Sequence, residues 1–280
     1  MKDEPVKYYL EKLEEYRIRD QRVSRHAMAD DLGIPLGTYE SWYRRNERRT
    51  RPSSKYGGRI KRFLRARDVI SVDRFLATDG PALLKKMGFQ KGLTVLDFGS
   101  GNGDYTLVLA RAVGQGGKVY ALDKDKETLG ALMGRARGNK LRNIEDRFVS
   151  QQADQPIEIP VLTASIDAMW LSDILHDGYF KEDEKKLRLL AELRRALKKN
   201  GFLAVHPVHM EAGRLKRIAA RAELDLEEEY QEELLFHGSE FHEGRVLKFR
   251  KRIRRKGVRR REKEGRGLRS VQKGRTAATR

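Results

Sequence analysis

The chain has 280 residues, of which 39% are hydrophobic and 36% are charged, and its formal net charge is +19. It contains no cysteine, which excludes a disulfide framework, a thiolate metal site and attack on a pyrimidine ring by a cysteine nucleophile. The first residues lack the basic and then apolar order of a signal peptide, and no apolar run is long enough to span a bilayer. We therefore expect a cytoplasmic protein that has no membrane partner.

The excess positive charge lies at the two ends of the sequence. Residues 1–67 contain 18 Lys and Arg against 10 Asp and Glu, and residues 250–280 contain 15 against 2. The central part, residues 68–249, has 27 basic and 29 acidic residues. A basic surface that served solubility alone would spread its charge evenly. The asymmetry instead predicts polyanion-binding segments attached to a nearly neutral core.

Residues 1–67 are predicted to form a small all-α domain. A first helix is indicated by apolar residues at helical spacing, namely Tyr9, Leu10, Leu13 and Tyr16. Ser24 is placed to cap a second helix, which Gly33 would end in a left-handed conformation. A third helix is predicted from Pro35 or Leu36, with Tyr39 and Trp42 on its buried side.

This helix, glycine turn and helix resemble the helix-turn-helix of phage-repressor-like DNA-binding domains, in which the second helix enters the major groove. The resemblance implies that nucleic acid, either DNA or RNA, is a partner of this domain. It gives the second helix the outward positions Gly37, Thr38, Glu40, Ser41 and Arg44, of which Thr38, Ser41 and Arg44 would contact nucleic acid. In the basic run that follows, Arg45, Arg48 and Arg49 would contact phosphates. The alternative is an ordinary helical hairpin that caps the following domain.

The most specific pattern lies in residues 93–106. An apolar run ends at Asp97, three glycines follow at positions 99, 101 and 103, and a helical pattern then begins. Such glycines let the backbone turn sharply and approach a ligand closely. A second predicted strand, residues 118–123, ends at Asp123, which suits hydrogen bonding to a ribose diol. The third glycine comes one residue earlier than in the dinucleotide-binding fingerprint, because position 104 is Asp.

The run D-x-G-x-G-x-G resembles motif I of the class I S-adenosylmethionine-dependent methyltransferases. The resemblance implies an α/β, Rossmann-like domain with a seven-stranded sheet over residues 68–251 and S-adenosyl-L-methionine as cofactor. The residues that it assigns to the cofactor are Asp97, Gly99, Ser100, Gly101, Gly103, Asp123, Lys124, Asp154, Leu171 and Ser172. Asp154 would bind adenine, or it is a surface loop residue. The alternative for the whole motif is a glycine-rich turn in an unrelated α/β protein.

The segment Leu175-His176-Asp177 is similar to the Leu-His-Asp of several O-methyltransferases, where the histidine is the general base. Gly178 replaces the tryptophan that usually follows, and many methyltransferases have Leu-His here without base catalysis. The Asn/Asp-Pro-Pro-Tyr/Phe sequence of exocyclic-amine methyltransferases is absent, which argues against a DNA base methylase. His206 and His209 lack an identifiable third ligand, so no metal site is predicted.

The other elements follow from periodicity. Helices are predicted over residues 105–113, 127–137 and 184–199, and strands near residues 147–149, 165–171, 202–205, 226–235 and 245–249. Residues 252–280 have almost no apolar side chains and are predicted to form a disordered basic tail. Arg254 and Arg255 would neutralise phosphates there, or the tail is solvated and has no partner.

Two functions are compatible with these patterns. The first is a methyltransferase with nucleic-acid-binding ends, whose acceptor is RNA, a nucleic-acid-associated protein or a small molecule. The second is a DNA-binding transcriptional regulator whose methyltransferase-like domain senses S-adenosylmethionine or another ligand without turnover.

Overall fold

The computed structural model describes residues 4–21, 24–44, 52–66, 71–150, 157–236 and 240–252. Several predicted site residues and nearly all of the predicted tail lie outside these ranges: Arg45, Arg48, Arg49, Asp154, Arg254 and Arg255. The predicted domain boundary after residue 67 also lies outside them.

The N-terminal helices are α1 (Glu4–Glu15), α2 (Arg25–Leu32), α3 (Leu36–Ser41) and α4 (Ser54–Ala66), with a π-helical turn, Tyr16–Gln21, after α1. The Ser24 side chain accepts a hydrogen bond from the amide of Ala27, which confirms the predicted cap of α2. Gly33 has a φ of 61°, and the amide of Ile34 donates to the carbonyl of Ala29. The predicted left-handed end of α2 is therefore confirmed as well.

These four helices share a hydrophobic core of their own, which includes Leu13, Met28, Tyr39, Trp42 and Leu64. Their contacts with the rest of the chain include buried polar pairs. Lys12 Nζ lies 2.8 Å from Asp79 Oδ1, and Lys61 Nζ lies 2.8 Å from Glu233 Oε1. The Glu233 side chain is only 2% exposed, so the Lys61–Glu233 ion pair is largely buried where α4 contacts the sheet.

A second group of elements builds one mixed sheet with helices on both faces. Short helices α5 (Val72–Arg74) and α6 (Gly80–Lys86) flank a π-helical turn, Phe75–Asp79. The strands are β1 (Thr94–Phe98), β2 (Lys118–Asp123), β3 (Ile144–Phe148), β4 (Ile166–Ser172), β5 (Leu197–His206), β6 (Leu224–Phe236) and β7 (Glu240–Lys251). The helices between them are α7 (Asp104–Val113), α8 (Lys126–Gly138), α9 (Asp183–Ala196) and α10 (Ala212–Arg221).

The strand order is β3-β2-β1-β4-β5-β7-β6, which confirms the predicted seven-stranded sheet. Strands β1 to β5 pair in parallel, whereas β7 is antiparallel to both β5 and β6. Strands β2 and β3 are added on one side of β1, and β4 and the later strands are added on its other side, so the strand order reverses at β1. Ligands of such sheets bind outside the carboxyl ends of the strands at this reversal.

Successive side chains of the central strands point to opposite faces of the sheet, and apolar residues pack on both faces. Val95 and Trp170 belong to the core on one face, and Leu96 and Leu171 belong to the core on the other. All four side chains are fully buried. Near-continuous apolar runs are typical of parallel strands covered on both faces.

The observed boundary between helix α9 and strand β5 lies earlier in the chain than predicted. Helix α9 ends at Ala196 rather than at Lys199, because the backbone is already extended at Leu197, where β5 begins. Gly201 lies inside β5, where a Cβ would stand 2.7 Å from the carbonyl oxygen of Asp167. The glycine thus permits a close strand approach beside the register shift between Ile166 and Ala168.

Strand β6 contains several glutamates, which interrupt the alternation of polar and apolar residues that is typical of a strand. Cross-strand partners on β7 offset that acidity. Glu227 pairs with Lys248 at 3.2 Å and with Arg250 at 2.5 Å. Over the residues that the structure describes, no helix has both the length and the apolarity needed to cross a membrane.

Candidate functional site

A cleft of about 720 Å³ opens at the carboxyl ends of β1, β2 and β4. The glycine loop after β1 forms one wall, and the segment after β4 forms the opposite one. Its lining includes Asp97, Gly99, Ser100, Gly101, Asp123 and Lys124 from the predicted cofactor set. Ser172 and His176 also line it. The sheet therefore brings most of the predicted site residues together.

The glycine loop depends on residues without side chains. Gly99 has a φ of 75°, and a Cβ there would lie 2.1 Å from Cδ1 of Ile174. Gly101 has a φ of 50° and has nothing within 4 Å of its would-be Cβ. The backbone at Gly101 is thus open to the cleft, whereas Gly99 allows Ile174 to close over the loop.

Asp123, at the end of β2, holds this loop in place. Its Oδ2 accepts a hydrogen bond from the amide of Gly101 at 2.8 Å, and its Oδ1 accepts one from the amide of Asp125 at 3.1 Å. The amides of Gly99 and Ser100 both donate to the carbonyl of Leu122. Each carboxylate oxygen of Asp123 keeps a lone pair that could accept a hydroxyl hydrogen of a ribose.

Among the acids that line the cleft, Asp97 has the most strongly raised pKa. It is 2% exposed, and its Oδ2 accepts a hydrogen bond from Thr106 Oγ1 at 2.6 Å. Burial raises the pKa of Asp97 to about 7, and the bond from Thr106 opposes that rise. The nearby carboxylates of Asp123 and Asp104 contribute to this raised pKa. A cation bound beside Asp97 would favour its ionised form.

Unpaired polar atoms and an apolar side cavity fit a nucleoside-containing ligand. Ser100 Oγ and Trp170 Nε1 are buried without a hydrogen-bond partner among the described residues, and both residues line the cleft. Beside Asp123 lies a smaller cavity whose apolar lining suits a planar base: Phe98, Leu122, Val149, Ile157, Ile174 and Phe180.

The side chain of Leu171 points away from the cleft, so any contact with the cofactor would have to come from its backbone. Its side chain is fully buried in the core on the opposite face of the sheet, because neighbouring residues of β4 alternate between faces. Trp170 and Ser172 instead point to the cleft. Gly103 is not part of the lining either, and a Cβ there would lie 2.5 Å from Cγ of Leu132 in α8.

The far end of the cleft carries two histidines. His176 Nδ1 accepts a hydrogen bond from the amide of Gly178 at 3.0 Å. A Cβ at position 178 would lie 2.6 Å from Cε1 of His176, so the glycine allows the ring to fold over this turn. His209 Nδ1 lies 2.7 Å from Asp173 Oδ2, a pairing that sequence analysis missed because 36 residues separate the partners.

Buried ionic contacts fix the segment that carries His176. Lys186 of α9 has a fully buried side chain, and its ammonium group donates to Asp177 Oδ1 at 2.7 Å and to the carbonyl of Phe180. Arg214 of α10 pairs with the other oxygen of Asp177. Both cations keep the pKa of Asp177 low, at about 2. Two helices thus anchor this wall of the cleft.

His206 lies behind the cleft. It is 1% exposed, and its Nδ1 lies 3.1 Å from Ser172 Oγ. Burial, together with the neighbouring His242, lowers the pKa of His206 to about 3, so the ring is neutral near pH 7. Within the described part of the chain, no three His, Asp or Glu side chains converge to hold a metal ion.

The predicted nucleic-acid contacts on α3 are only partly exposed. Glu40 and Arg44 are exposed, and Thr38 is half-buried. Ser41 is 7% exposed and its Oγ donates to the carbonyl of Thr38 at 2.6 Å, so its predicted outward position is wrong. Because α3 has only six residues, Ser41 lies in its last turn and turns inward beside Trp42.

The mixed sheet, the glycine loop after β1 and the acid at the end of β2 define a Rossmann-like enzyme with a nucleoside-binding cleft. Residues 89–255 match the family model described as a methyltransferase domain, and the chain belongs to this family. The chain therefore contains a methyltransferase domain, and S-adenosylmethionine is the cofactor expected for it.

Curated relatives include two demethylmenaquinone methyltransferases. The protein from Geobacillus sp. is 36% identical over 85 residues, which cover 30% of this chain and 36% of the relative. The protein from Alkalihalophilus pseudofirmus is 30% identical over 141 residues, which cover 50% of this chain and 55% of the relative. The chain thus spans about a third to about half of the length of these relatives.

Among solved structures, an S-adenosylmethionine-dependent methyltransferase from Methanosarcina mazei has a similar fold. Its TM-score is 0.50 at 16% identity, and the match covers 61% of this chain and 98% of that one. At this identity the similarity concerns the fold alone.

Proposed function

We propose that this chain transfers a methyl group from S-adenosylmethionine to a small-molecule acceptor in the far end of the cleft. The charge of the lining is the observation that carries this proposal. Five aspartates and one lysine line the cleft: Asp97, Asp104, Asp123, Asp125, Asp173 and Lys124. An acidic lining repels a polyanion, so it disfavours RNA as acceptor and favours a neutral or cationic small molecule.

The donor would occupy the glycine-loop end of the cleft. Asp123 would accept hydrogen bonds from its ribose, the apolar side cavity would hold its adenine, and Asp97 would lie near its amino and sulfonium charges. The donor supplies a methyl group on a positively charged sulfur. The chain's own contribution is to align acceptor and methyl carbon in a site from which water is partly excluded.

The aromatic residues at the far end support this class of acceptor. Phe236 lines the cleft there beside His209. Tyr179 lies between this end and the apolar side cavity, with its ring 4.6 Å from that of His176 and 4.7 Å from Lys124 Nζ. The curated relatives are named for methylation of demethylmenaquinone, which is not a nucleic acid. Flat apolar walls of this kind suit an aromatic or similarly planar compound.

The test has two stages. Calorimetry first measures binding of S-adenosylmethionine to the full chain. Radiolabelled donor is then incubated with the chain and with separated small-molecule, RNA and protein fractions of a cell extract. Label in the small-molecule fraction is expected. Label that nuclease removes would replace this acceptor with RNA, and binding without any label would favour the ligand-sensing regulator.

We further propose that the two basic ends bind nucleic acid through phosphate contacts. Support comes from exposed cationic side chains of the N-terminal region: Arg44, which follows α3, and Lys55, Arg62 and Arg65 on α4. The exposed acid Glu40 and the inward Ser41 leave α3 with few groups that could read bases. We therefore expect affinity with little sequence preference, for DNA or RNA.

Salt dependence tests this second proposal. The double variant Lys55→Ala, Arg62→Ala should bind a 20-base-pair duplex more weakly and with a shallower dependence on salt than the unaltered chain. Removing residues 253–280 should flatten that dependence further. The matched control is Lys118→Ala, on β2. Unchanged slopes in both altered chains would rule out phosphate binding by these ends.

A further inference from the structure

We propose that His209 and Asp173 form a proton-accepting pair, and that the acceptor therefore reacts through a hydroxyl group whose proton His209 removes. This inference rests on the proposed methyl transfer and names the chemical class of its nucleophile. Both residues line the acceptor end of the cleft, outside the motif that binds the donor.

Two hydrogen bonds fix His209 to Asp173. The backbone amide of His209 donates to Oδ1 at 3.1 Å, and the ring Nδ1 lies 2.7 Å from Oδ2. A carboxylate only accepts hydrogen bonds, so Nδ1 of the ring carries the hydrogen in this pair. The neutral ring then has its free lone pair on Nε2, the atom that can take a proton. A carboxylate on Nδ1 also stabilises the imidazolium that this step forms.

Asp173 is held in an unusual backbone conformation for this role. Its φ is 53°, in the left-handed region that residues other than glycine rarely adopt. The amide of Asp173 donates to the carbonyl of His206 at 2.9 Å, which ties the turn to the end of β5. The side chain of Asp173 is 15% exposed, against 58% for His209. Such strain persists only where surrounding contacts impose it, and it is concentrated at functional sites.

His176 has the opposite arrangement. Its Nδ1 lone pair is occupied by the amide of Gly178, so the neutral ring carries its hydrogen on Nε2. His176 in this position can donate a hydrogen bond to an acceptor oxygen but has no free lone pair for a proton. The assignment therefore places the base at His209 and makes His176 a hydrogen-bond donor.

The groups packed around His209 come from two segments, the turn after β4 and the end of β6. The ring of His176, after β4, lies 5.7 Å away, and the ring of Phe236, at the end of β6, lies 5.9 Å away. Asp173 is the only carboxylate that any described contact places on the His209 ring. The pH dependence of the step should thus follow His209, with Asp173 as its charged neighbour and His176 as the nearest second titratable ring.

The proposed step balances. The hydroxyl oxygen of the acceptor forms a bond to the methyl carbon while the carbon–sulfur bond breaks and its electron pair goes to sulfur. Nε2 of His209 takes the hydroxyl proton and releases it to solvent after the methyl ether forms.

The test compares His209→Gln and Asp173→Asn with the control His26→Gln, a surface histidine that is paired with Asp30. Each chain is assayed with labelled donor and with the small-molecule fraction that takes up label. His209→Gln should bind S-adenosylmethionine as the unaltered chain does, which also reports a folded cleft, and should lose about 100-fold or more in kcat.

The pH profile separates a base from a structural residue. In the unaltered chain kcat/KM should rise with pH as His209 loses its proton, and His209→Gln should lack this rise. Asp173→Asn should also lower kcat, because an amide does not hold the hydrogen on Nδ1, and so leave Nε2 free, as a carboxylate does. Added imidazole should restore part of the activity of His209→Gln.

Failure of the inference differs from failure of the proposed function. If the unaltered chain labels no small molecule, the proposed function is wrong and this assignment is wrong with it. If the unaltered chain transfers label and His209→Gln does so at the same rate and with the same pH profile, only the assignment is overturned.

Discussion

The amide of Gly101 donates a hydrogen bond to Asp123 Oδ2 at 2.8 Å, so the acid at the end of β2 also closes the glycine loop. Two parts of the motif that are separated by 22 residues are therefore one structural unit. Loss of the carboxylate would remove the proposed contact with ribose and also the bond that holds the backbone of Gly101 in the loop.

We expect Asp123→Ala to weaken S-adenosylmethionine binding by more than the loss of one hydrogen bond. A bond to a charged group contributes about 1.5 to 3 kcal/mol, which corresponds to roughly 10- to 100-fold in affinity. Calorimetry measures this change. The control Asp146→Ala removes an exposed carboxylate of the neighbouring strand β3. Equal affinities for the Asp123→Ala and unaltered chains would contradict the assignment.

Gly99→Ala should destabilise the fold and weaken donor binding. Alanine at a φ of 75° is strained, and its Cβ would lie 2.1 Å from Cδ1 of Ile174. We expect a loss of about 2 kcal/mol in the free energy of unfolding, measured by urea denaturation. Adding Ile174→Ala should recover the part due to the collision but not the part due to φ. Gly116→Ala is the control, since nothing lies within 4 Å of its would-be Cβ.

Asp97 should make stability fall as pH rises. Its pKa is raised from 3.8 to about 7 in the folded chain, so between these values the folded state holds a proton that the unfolded state has lost. The stability that this proton contributes is present at low pH and is lost as pH rises to about 7. The unfolding free energy of the unaltered chain minus that of Asp97→Asn should therefore decrease over this range. A constant difference would contradict the raised pKa.

Donor binding should have the opposite pH dependence. A cationic ligand favours the ionised form of Asp97, so affinity for S-adenosylmethionine should increase as pH rises through about 7. Asp97→Asn should show weaker binding and a flatter profile. Calorimetry at several pH values provides the comparison, and an unchanged profile would exclude Asp97 from the donor site.

Lys61→Met should be more harmful than its position on α4 suggests. It leaves the 2%-exposed carboxylate of Glu233 without its partner, and it removes the donor to the carbonyl of Phe241. We expect a loss on the order of 3 kcal/mol in unfolding free energy. The double variant Lys61→Met, Glu233→Leu should recover most of it, since no buried charge is then left. Lys55→Ala, on the same helix, is the control; equal losses in the two single variants would contradict the argument.

Local patterns predicted much of this fold because they are set by neighbouring residues. The cap at Ser24, the left-handed Gly33 and the strand that ends at Asp123 depend on positions within a few residues of one another. The central strands followed from apolar runs, and the glycine loop followed from one motif.

Tertiary contacts decided the rest. Leu171 and Ser172 are neighbours in sequence, but alternation along β4 sends one into the core and the other to the cleft. The two-residue alternation of side chains along β4 does not by itself indicate which face of the strand is turned towards the ligand. The Asp173–His209 pair joins two turns at the ends of β4 and β5, and its partners meet only because those strands are adjacent.

The β6–β7 hairpin contacts both the N-terminal helices and the cleft. Glu233 on β6 binds Lys61, whereas Leu235 and Phe236, further along the same strand, line the cleft. A ligand on the helices and a ligand in the cleft would thus both lie close to strand β6. If binding of either changes the hairpin, thermodynamic linkage requires that each alter the other's affinity by the same factor. Nucleic acid on the N-terminal helices would then alter the affinity of the cleft for donor or acceptor, and donor or acceptor would in turn alter the affinity for nucleic acid.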